Sequence, residues 1–216
     1  MSSTNRGATR ANNDFYETPA GAAAPVMREL REMFGDYYAL IVDAGAGLGA
    51  LTRAACAEFE SGMVEAVEAF PEGLPLDRTV LDGEQRANAE WVSRGADRYE
   101  ARLRAAGAVS VTVADFLTLD RQVDIVVSNP PFALAMDFLR HTVEDIDPPL
   151  AAFLLRLNFL GSAKRADWLE QHPPRAIRVL TKRPNFTGQG TDSIEYAWML
   201  WGRGVPAGTA PIGWYR

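Results

Sequence analysis

The sequence of 216 residues contains one cysteine and two histidines. A single cysteine, Cys56, excludes an internal disulfide and suits a reducing cytoplasm. His141 and His172 lie far apart along the chain, which argues against a His/Cys metal site. The longest apolar runs, such as residues 150–155, are too short to cross a bilayer, and residues 1–13 lack an apolar signal-peptide core. These absences favour a globular cytoplasmic protein with no bound metal and no membrane segment.

The chain also lacks a basic excess, since its formal net charge is −6 and its pI is about 5.0. Phosphate contacts normally require a basic footprint, so this balance counts against nucleic acid as a partner. It does not exclude one, because local patches matter more than the total charge. Cations do gather in the C-terminal third of the sequence, at Lys164, Arg165, Arg175, Arg178, Lys182 and Arg183.

Strand-like and helix-like segments alternate along most of the chain, which predicts one α/β domain over residues 14–203. Residues 1–13 are predicted to be a flexible tail, and the Gly/Pro-rich residues 204–216 an irregular one. Residues 71–107 are predicted to form a helical insert. That insert fits a lid, a substrate-facing element or an amphipathic cover helix.

A strand, a glycine-rich turn and a helix are predicted in succession between residues 38 and 59. The turn reads Asp43-Ala44-Gly45-Ala46-Gly47-Leu48-Gly49, and its glycines permit a tight bend and close approach of a ligand to the backbone. The next strand is predicted to end at Glu68, where an acid can bind ribose hydroxyls. Taken alone, this spacing of glycines fits a nicotinamide site, a methyl-donor site or a plain turn.

An apolar run at residues 123–127 predicts a buried parallel strand that stops at Asn129-Pro130-Pro131-Phe132. Because prolines cannot extend a ladder, Asn129 and Phe132 are expected at the carboxyl end of the strand, where open α/β sheets bind ligands. The chemistry that suits them is methylation of a planar exocyclic amine. The Asn129 side-chain oxygen and the Pro130 carbonyl would each accept one N–H, and Phe132 would stack on the ring. An ordinary Asn-Pro turn is the alternative.

Five segments, taken in order, resemble the motifs of class I S-adenosylmethionine-dependent methyltransferases, and specifically small, phage-type DNA adenine-N6 methyltransferases. They are Phe15-Tyr16-Glu17-Thr18-Pro19, the glycine turn, Val67-Glu68, Ala114-Asp115-Phe116 and Asn129-Pro130-Pro131-Phe132. The late segment 183–201 is similar to the C-terminal part of the same enzymes. This resemblance implies a single Rossmann-like domain with a mostly parallel seven-stranded sheet, an antiparallel last strand and helices on both faces.

The resemblance also implies roles for individual residues. S-adenosylmethionine would be the cofactor, and a flipped adenine of DNA would enter a pocket formed by Asn129, Pro130, Pro131 and Phe132. Substrate contacts are expected at Lys164, Arg165, Arg183 and Phe186. The residues implied to contact the cofactor are Phe15, Tyr16, Thr18, Pro19, Asp43, Gly45, Gly47, Glu68, Asp115 and Phe116.

Several alternatives stay open. The same tetrapeptide occurs in RNA adenine or guanine methyltransferases, and protein glutamine methyltransferases usually have Tyr in its last position. A nicotinamide-dependent oxidoreductase would explain the glycine turn and Glu68 but not Asn129-Pro130-Pro131-Phe132. A binding module without catalysis is a further possibility. The chain leaves no room for a separate target-recognition domain, so recognition is expected to be short or relaxed, or supplied by an oligomer.

Overall fold

The computed structural model describes residues 17–35, 37–60, 62–69, 100–186 and 194–215. The predictions made for Phe15, Tyr16, the tail at residues 1–13 and most of the insert at residues 71–107 lie outside these ranges. No helix within them is long and apolar enough to span a membrane.

The described helices pack around a single sheet. Helix α1 buries Val26, Met27 and Leu30, which recur at helical spacing. Helix α4 continues directly into a π-helical turn, His141–Ile146. The helices are α1 (Ala20–Phe34), α2 (Ala50–Glu58), α3 (residues 100–105), α4 (Ala135–Arg140) and α5 (Ala163–Gln171).

Within the part of the chain that the structure describes, the sheet has eight strands in the order β3-β2-β1-β4-β5-β7-β6-β8. All neighbouring strands are parallel except that β7 runs antiparallel to both β5 and β6. The strands are β1 (Leu40–Ala44), β2 (Met63–Glu68), β3 (Ser110–Val113), β4 (Ile125–Ser128), β5 (Leu150–Arg156), β6 (Ala176–Leu180), β7 (Tyr196–Trp201) and β8 (Ile212–Tyr215).

The predicted fold class is confirmed, with one difference in the strand count. Eight strands are present where seven are expected, because Ile212–Tyr215 forms β8 inside the segment predicted to be irregular. The antiparallel strand, β7, is therefore not the last one in the chain. Strand β8 is difficult to predict because it has only four residues, includes Gly213 and leaves Ile212 and Trp214 exposed on its outer face.

Apolar side chains cover both faces of the sheet. One core cluster joins Ile41 and Val127 to helices α1 and α2, and a second joins Val42 and Val126 to α4. Consecutive strand residues therefore point into opposite layers, as expected for strands buried on both faces. Because both faces of the sheet are covered by apolar side chains, polar side chains collect at the ends of the strands.

The strand register determines which chain segments meet at the carboxyl edge of the sheet. Ala44 at the end of β1 pairs with Val67 of β2 and with Ser128 of β4. The glycine turn, Glu68 and Asn129 consequently emerge side by side. This edge lies where the strand order reverses at β1, which is the usual ligand position in open α/β sheets.

Candidate functional site

The glycine turn between β1 and α2 has a backbone that suits glycine at three positions. Gly45, Gly47 and Gly49 have φ values of 72°, 52° and 79°, a left-handed region that other residues adopt only at a cost. The amides of Gly45 and Ala46 donate to the carbonyl of Val67 at 2.9 and 3.1 Å. The turn is therefore fastened to the end of β2.

Glu68 lies directly beside this turn. The amide of Gly47 donates to Glu68 Oε2 at 2.9 Å, so the carboxylate is held at the carboxyl edge of the sheet by the turn itself. The structure thus brings together the two features from which the sequence predicts a nucleotide site. The motif resemblance assigns Glu68 to ribose hydroxyls, and this role remains a prediction.

Asp43 lies beneath the turn and is fully buried. Its Oδ2 accepts hydrogen bonds from the Thr52 amide at 2.8 Å and from the Thr52 hydroxyl at 2.7 Å. Burial raises the pKa of Asp43 to about 7, although the bonds from Thr52 lower it. Its other oxygen, Oδ1, is buried and has no hydrogen-bond partner among the described residues. The carboxyl group therefore positions the start of α2, and its expected contact with a cofactor remains a prediction.

The tetrapeptide that follows β4 meets the segment that precedes α1. Asn129 Nδ2 donates to the hydroxyl of Thr18 at 3.0 Å, across 111 positions of sequence, and Thr18 is only 4% exposed. Since the amide nitrogen faces Thr18, the side-chain oxygen of Asn129 is the end directed away from it. Just before the tetrapeptide, Ser128 donates to the carbonyl of Ala44 at 2.6 Å, which ties the end of β4 to the end of β1.

Phe132 belongs to a group of aromatic and cationic side chains, named here the aromatic group: Phe132, Arg156, Phe186 and Tyr196. The guanidinium carbon of Arg156 lies 3.7 Å from the centroid of the Phe132 ring, and Arg156 Nε donates to the Tyr196 hydroxyl at 3.0 Å. Phe186 contacts Tyr196 edge-on, with centroids 5.1 Å apart. Two residues that sequence reasoning associates with a base, Phe132 and Phe186, thus join the same group.

Sequence analysis missed Arg156 and Tyr196. The two residues face each other in the antiparallel register of β5 and β7, and no local pattern indicates such a pairing. One signal was present for Arg156, because it is the first charged residue after the apolar run of β5 and stands at the carboxyl end of that strand.

The third motif, after β3, divides into an exposed and a buried residue. Asp115 is exposed and caps a short 3-10 turn by accepting from the Leu117 amide at 3.0 Å. Phe116 is only 1% exposed and packs against Phe138 and His141, with centroids 5.0 and 5.3 Å away. The expected contacts of both residues with an adenine ring remain predictions.

The three cationic residues that are expected to contact the substrate have different surroundings. Lys164 is exposed at the start of α5. Arg165 donates to the Phe159 carbonyl at 2.8 Å and lies over the Phe159 ring, so it braces the turn after β5. Arg183 forms an ion pair with Glu195 at 2.7 Å, and that hydrogen bond lowers the pKa of Glu195. Arg165 and Arg183 thus have partners within the fold, and Lys164 stays a candidate contact with the substrate.

Within the described ranges, no group of three or more potential metal ligands occurs. His141 instead bonds the Leu119 carbonyl and the Asp145 carboxylate through its two ring nitrogens. His172 stacks on Trp168 with centroids 4.8 Å apart. Both histidines therefore have partners within the fold.

No family model matches the sequence, and no curated protein matches it. Solved structures with the same fold are numerous. A Pyrococcus horikoshii protein proposed to be an RNA methyltransferase has a TM-score of 0.58 at 16% identity, with 88% of each chain covered. A Listeria monocytogenes protein proposed to be a class I S-adenosylmethionine-dependent methyltransferase has a TM-score of 0.60 at 13% identity, covering 97% of this chain and 67% of that one.

A third structure, the tRNA (uracil-54, C5)-methyltransferase of Pyrococcus abyssi in complex with S-adenosyl-L-homocysteine, has a TM-score of 0.52 at 14% identity. The match covers 87% of this chain and 40% of that one. At such low identities the similarity establishes the fold. The chain has the fold of class I methyltransferases.

Proposed function

We propose that this protein is an S-adenosylmethionine-dependent methyltransferase that modifies the exocyclic amine of a nucleobase. The substrate that we propose is the N6 amine of adenine in DNA, with an RNA base amine as the second candidate. The observation that carries the proposal is the hydrogen bond between Asn129 and Thr18, which joins two segments, 111 residues apart, that resemble motifs of adenine methyltransferases.

The residues at the carboxyl edge of the sheet fit S-adenosylmethionine. The Glu68 carboxylate, fixed by the Gly47 amide, is an acceptor suited to the two ribose hydroxyls. Strands β2 and β4 flank β1, so Glu68 and Asn129 emerge about 10 Å apart, or two strand spacings. A donor held at Glu68 would cross the glycine turn toward Asn129. When bound, S-adenosylmethionine supplies a methyl carbon that accepts the amine's electron pair as the bond to sulfur breaks.

The chain's own residues would orient the amine for this transfer. Asn129 Oδ1 and the Pro130 carbonyl would each accept one of its N–H groups, which aims the nitrogen lone pair out of the ring plane and stabilises the positive charge that develops on it. Thr18, by accepting from Asn129 Nδ2, keeps the amide oxygen pointed toward the amine. The amine proton would then leave to solvent.

The choice between DNA and RNA depends on two different observations. The resemblance of Thr18-Pro19 to the N-terminal motif of DNA adenine methyltransferases, together with the contact of Thr18 with Asn129, favours DNA. The similarity over 88% of both chains to a protein proposed to be an RNA methyltransferase favours RNA, since that protein has nearly the same extent. We rank DNA first because the Thr18 contact lies within the candidate site.

A nicotinamide-dependent oxidoreductase is a weaker alternative. Dinucleotide-binding sheets have the order 3-2-1-4-5-6, whereas here β7 runs antiparallel and lies between β5 and β6. The sheet order therefore differs from that of dinucleotide-binding sheets, and Asn129 has a role in methyl transfer and none in hydride transfer.

Transfer of labelled methyl groups tests the proposal. The protein would be incubated with labelled S-adenosylmethionine and, in parallel, unmethylated duplex DNA, bulk RNA and a protein extract, followed by nucleoside analysis. We expect N6-methyladenine in DNA. Label in RNA alone would move the substrate to the second candidate, and label in protein alone or in no fraction would contradict a nucleobase substrate.

The variant Asn129→Ala tests the role of the tetrapeptide in the same assay. We expect kcat to fall by about a hundredfold or more, while the Kd for S-adenosylmethionine changes little. Asn158→Ala is the matched control, because Asn158 is an exposed asparagine just beyond β5, and it should retain full activity. Unchanged transfer by Asn129→Ala would contradict the mechanism.

A further inference from the structure

Arg156 is the residue of the aromatic group that the proposed mechanism does not use. It ends β5, the strand next to β4, and so reaches the same edge of the sheet as Asn129. Its guanidinium carbon lies 3.7 Å from the centroid of the Phe132 ring, a separation at which the two planar groups are in van der Waals contact. The cation therefore covers one face of the ring that is proposed to stack on the base.

Tyr196 fixes the position of this guanidinium. Its hydroxyl accepts from Arg156 Nε at 3.0 Å, and its own side chain is 1% exposed in β7. Arg156 and Tyr196 are also paired residues in the β5–β7 register. A buried side chain on a central strand thus anchors a half-buried arginine, and that arginine in turn contacts Phe132.

The stacking of Arg156 on Phe132 has two effects, one on the ring itself and one on a base that stacks against it. A cation over the face of an aromatic ring is attracted by the ring's quadrupole, which favours one ring plane over others. An occupied face also limits any base that stacks on Phe132, with Arg156 in place, to the opposite face. A small rotation of the ring would tilt the stacked base and move its amine away from Asn129, and misplacement of about 1 Å is costly for group transfer.

We propose that Arg156 is the positioning residue of Phe132: anchored by Tyr196, it sets the plane of the ring so that the target base stacks on the face opposite the guanidinium. This inference rests on the proposed function. Arg156 would affect the orientation of the target base and therefore kcat. It would not contact the methyl donor.

Steady-state kinetics of Arg156 variants test the proposal. We expect Arg156→Ala to lower kcat by about ten- to a hundredfold, with the KM for S-adenosylmethionine unchanged. Arg156→Lys should be nearly as impaired, because lysine lacks the planar group and the Nε donor. Arg203→Ala is the control, since Arg203 is an exposed arginine paired with Asp147, and its kcat should match wild type.

Two further readouts separate positioning from general structural damage. Added guanidinium ion, at concentrations far below those that denature, should restore part of the activity of Arg156→Ala, and methylammonium should not. In a double-mutant cycle, Arg156→Ala should change kcat by less than about twofold when Phe132 is already Leu, because the arginine acts through that ring. Additive effects of the two substitutions would overturn the proposal, as would full activity in Arg156→Lys or increased activity in Arg156→Ala.

A measurement independent of activity keeps this proposal separate from the proposed function. The chain contains 10 phenylalanines, and labelling with 4-fluorophenylalanine gives each a 19F resonance, with Phe132 identified by its loss in Phe132→Leu. We expect the Phe132 resonance to broaden or split in Arg156→Ala and to stay single in Arg203→Ala. A resonance as narrow in Arg156→Ala as in wild type would overturn the positioning role, whether or not the wild-type protein transfers methyl groups.

Discussion

The carboxyl group of Asp43 makes stability depend on pH in an unusual direction for an aspartate. Burial raises its pKa from 3.8 to about 7, so the folded state keeps a proton that the unfolded chain loses above pH 3.8. The contribution of Asp43 to the free energy of unfolding should therefore fall as pH rises from about 4 to about 7 and be constant above that range. The shift corresponds to at most about 4 kcal/mol.

Asp43→Asn removes this titration while leaving a side-chain oxygen to accept from Thr52. Urea unfolding of both proteins between pH 4 and pH 8 measures the effect. We expect the stability of wild type relative to Asp43→Asn to decline steadily up to about pH 7. A difference that is independent of pH, or one that grows in favour of wild type as pH rises, would contradict the assignment.

Single residues also show which features of the site can be predicted from sequence and which cannot. Asn129 and Thr18 are both identified by their motifs, and the structure adds the hydrogen bond between them. Arg156 belongs to no motif, and Tyr196 lies in the late segment 183–201 without an assigned role. Their contact results from the register of two strands separated by 39 intervening residues. Local sequence patterns carry residue types and spacing, whereas such pairings depend on how the whole sheet is assembled.

Among the elements, the glycine turn can be tested by comparing a substitution at Gly49, within the turn, with the same substitution at Gly208, outside it. Gly49 and Gly208 both have positive φ, 79° and 90°, so alanine at either position costs about 1–2 kcal/mol of backbone strain. A Cβ at Gly49 would lie 2.6 Å from a methyl carbon of Leu103, which is fully buried, whereas a Cβ at Gly208 would meet nothing within 4 Å. We expect Gly49→Ala to lose a further 1–3 kcal/mol, roughly the cost of overpacking.

Thermal or urea unfolding of the two variants, measured side by side, gives this difference directly. Equal destabilisation would mean that Leu103 repacks at no cost, and that α3 does not brace the turn. A larger loss in Gly49→Ala would identify the contact between α3 and the turn as a contribution to the stability of the candidate cofactor site.

The elements themselves were largely predictable from sequence, because apolar periodicity and glycine or proline boundaries mark them. Strand β1 and helix α2 follow from the pattern around the glycine turn, and β7 supplies the antiparallel strand that the resemblance implies. The π-helical turn His141–Ile146 was not predicted. Its hydrogen bonds shift by one residue without any change in the apolar periodicity, so periodicity alone cannot reveal it.

In the molecule as a whole, a partly buried polar cluster connects the far edge of the sheet to the first helix. Glu29 of α1 accepts from Arg178 of β6 at 2.6 to 2.9 Å and from the hydroxyl of Tyr215 of β8. Burial, followed by the bond to Glu29, raises the pKa of Tyr215. Because Thr18 precedes the same helix and contacts Asn129, α1 links the edge strand β8 to the candidate site.

Tyr215→Phe removes the hydroxyl and leaves the Glu29 carboxylate with one donor fewer, while the Arg178 ion pair stays. A hydrogen bond to a charged group contributes about 1.5–3 kcal/mol, and we expect the free energy of unfolding to fall by that amount. Tyr37→Phe is the control, because Tyr37 is 79% exposed and its substitution should change stability by less than about 0.5 kcal/mol. Urea unfolding measures both variants. If Tyr215→Phe were as stable as Tyr37→Phe, the Tyr215 hydroxyl would contribute nothing to the attachment of β8 to α1, and the link between Glu29 and the sheet would depend on Arg178 of β6.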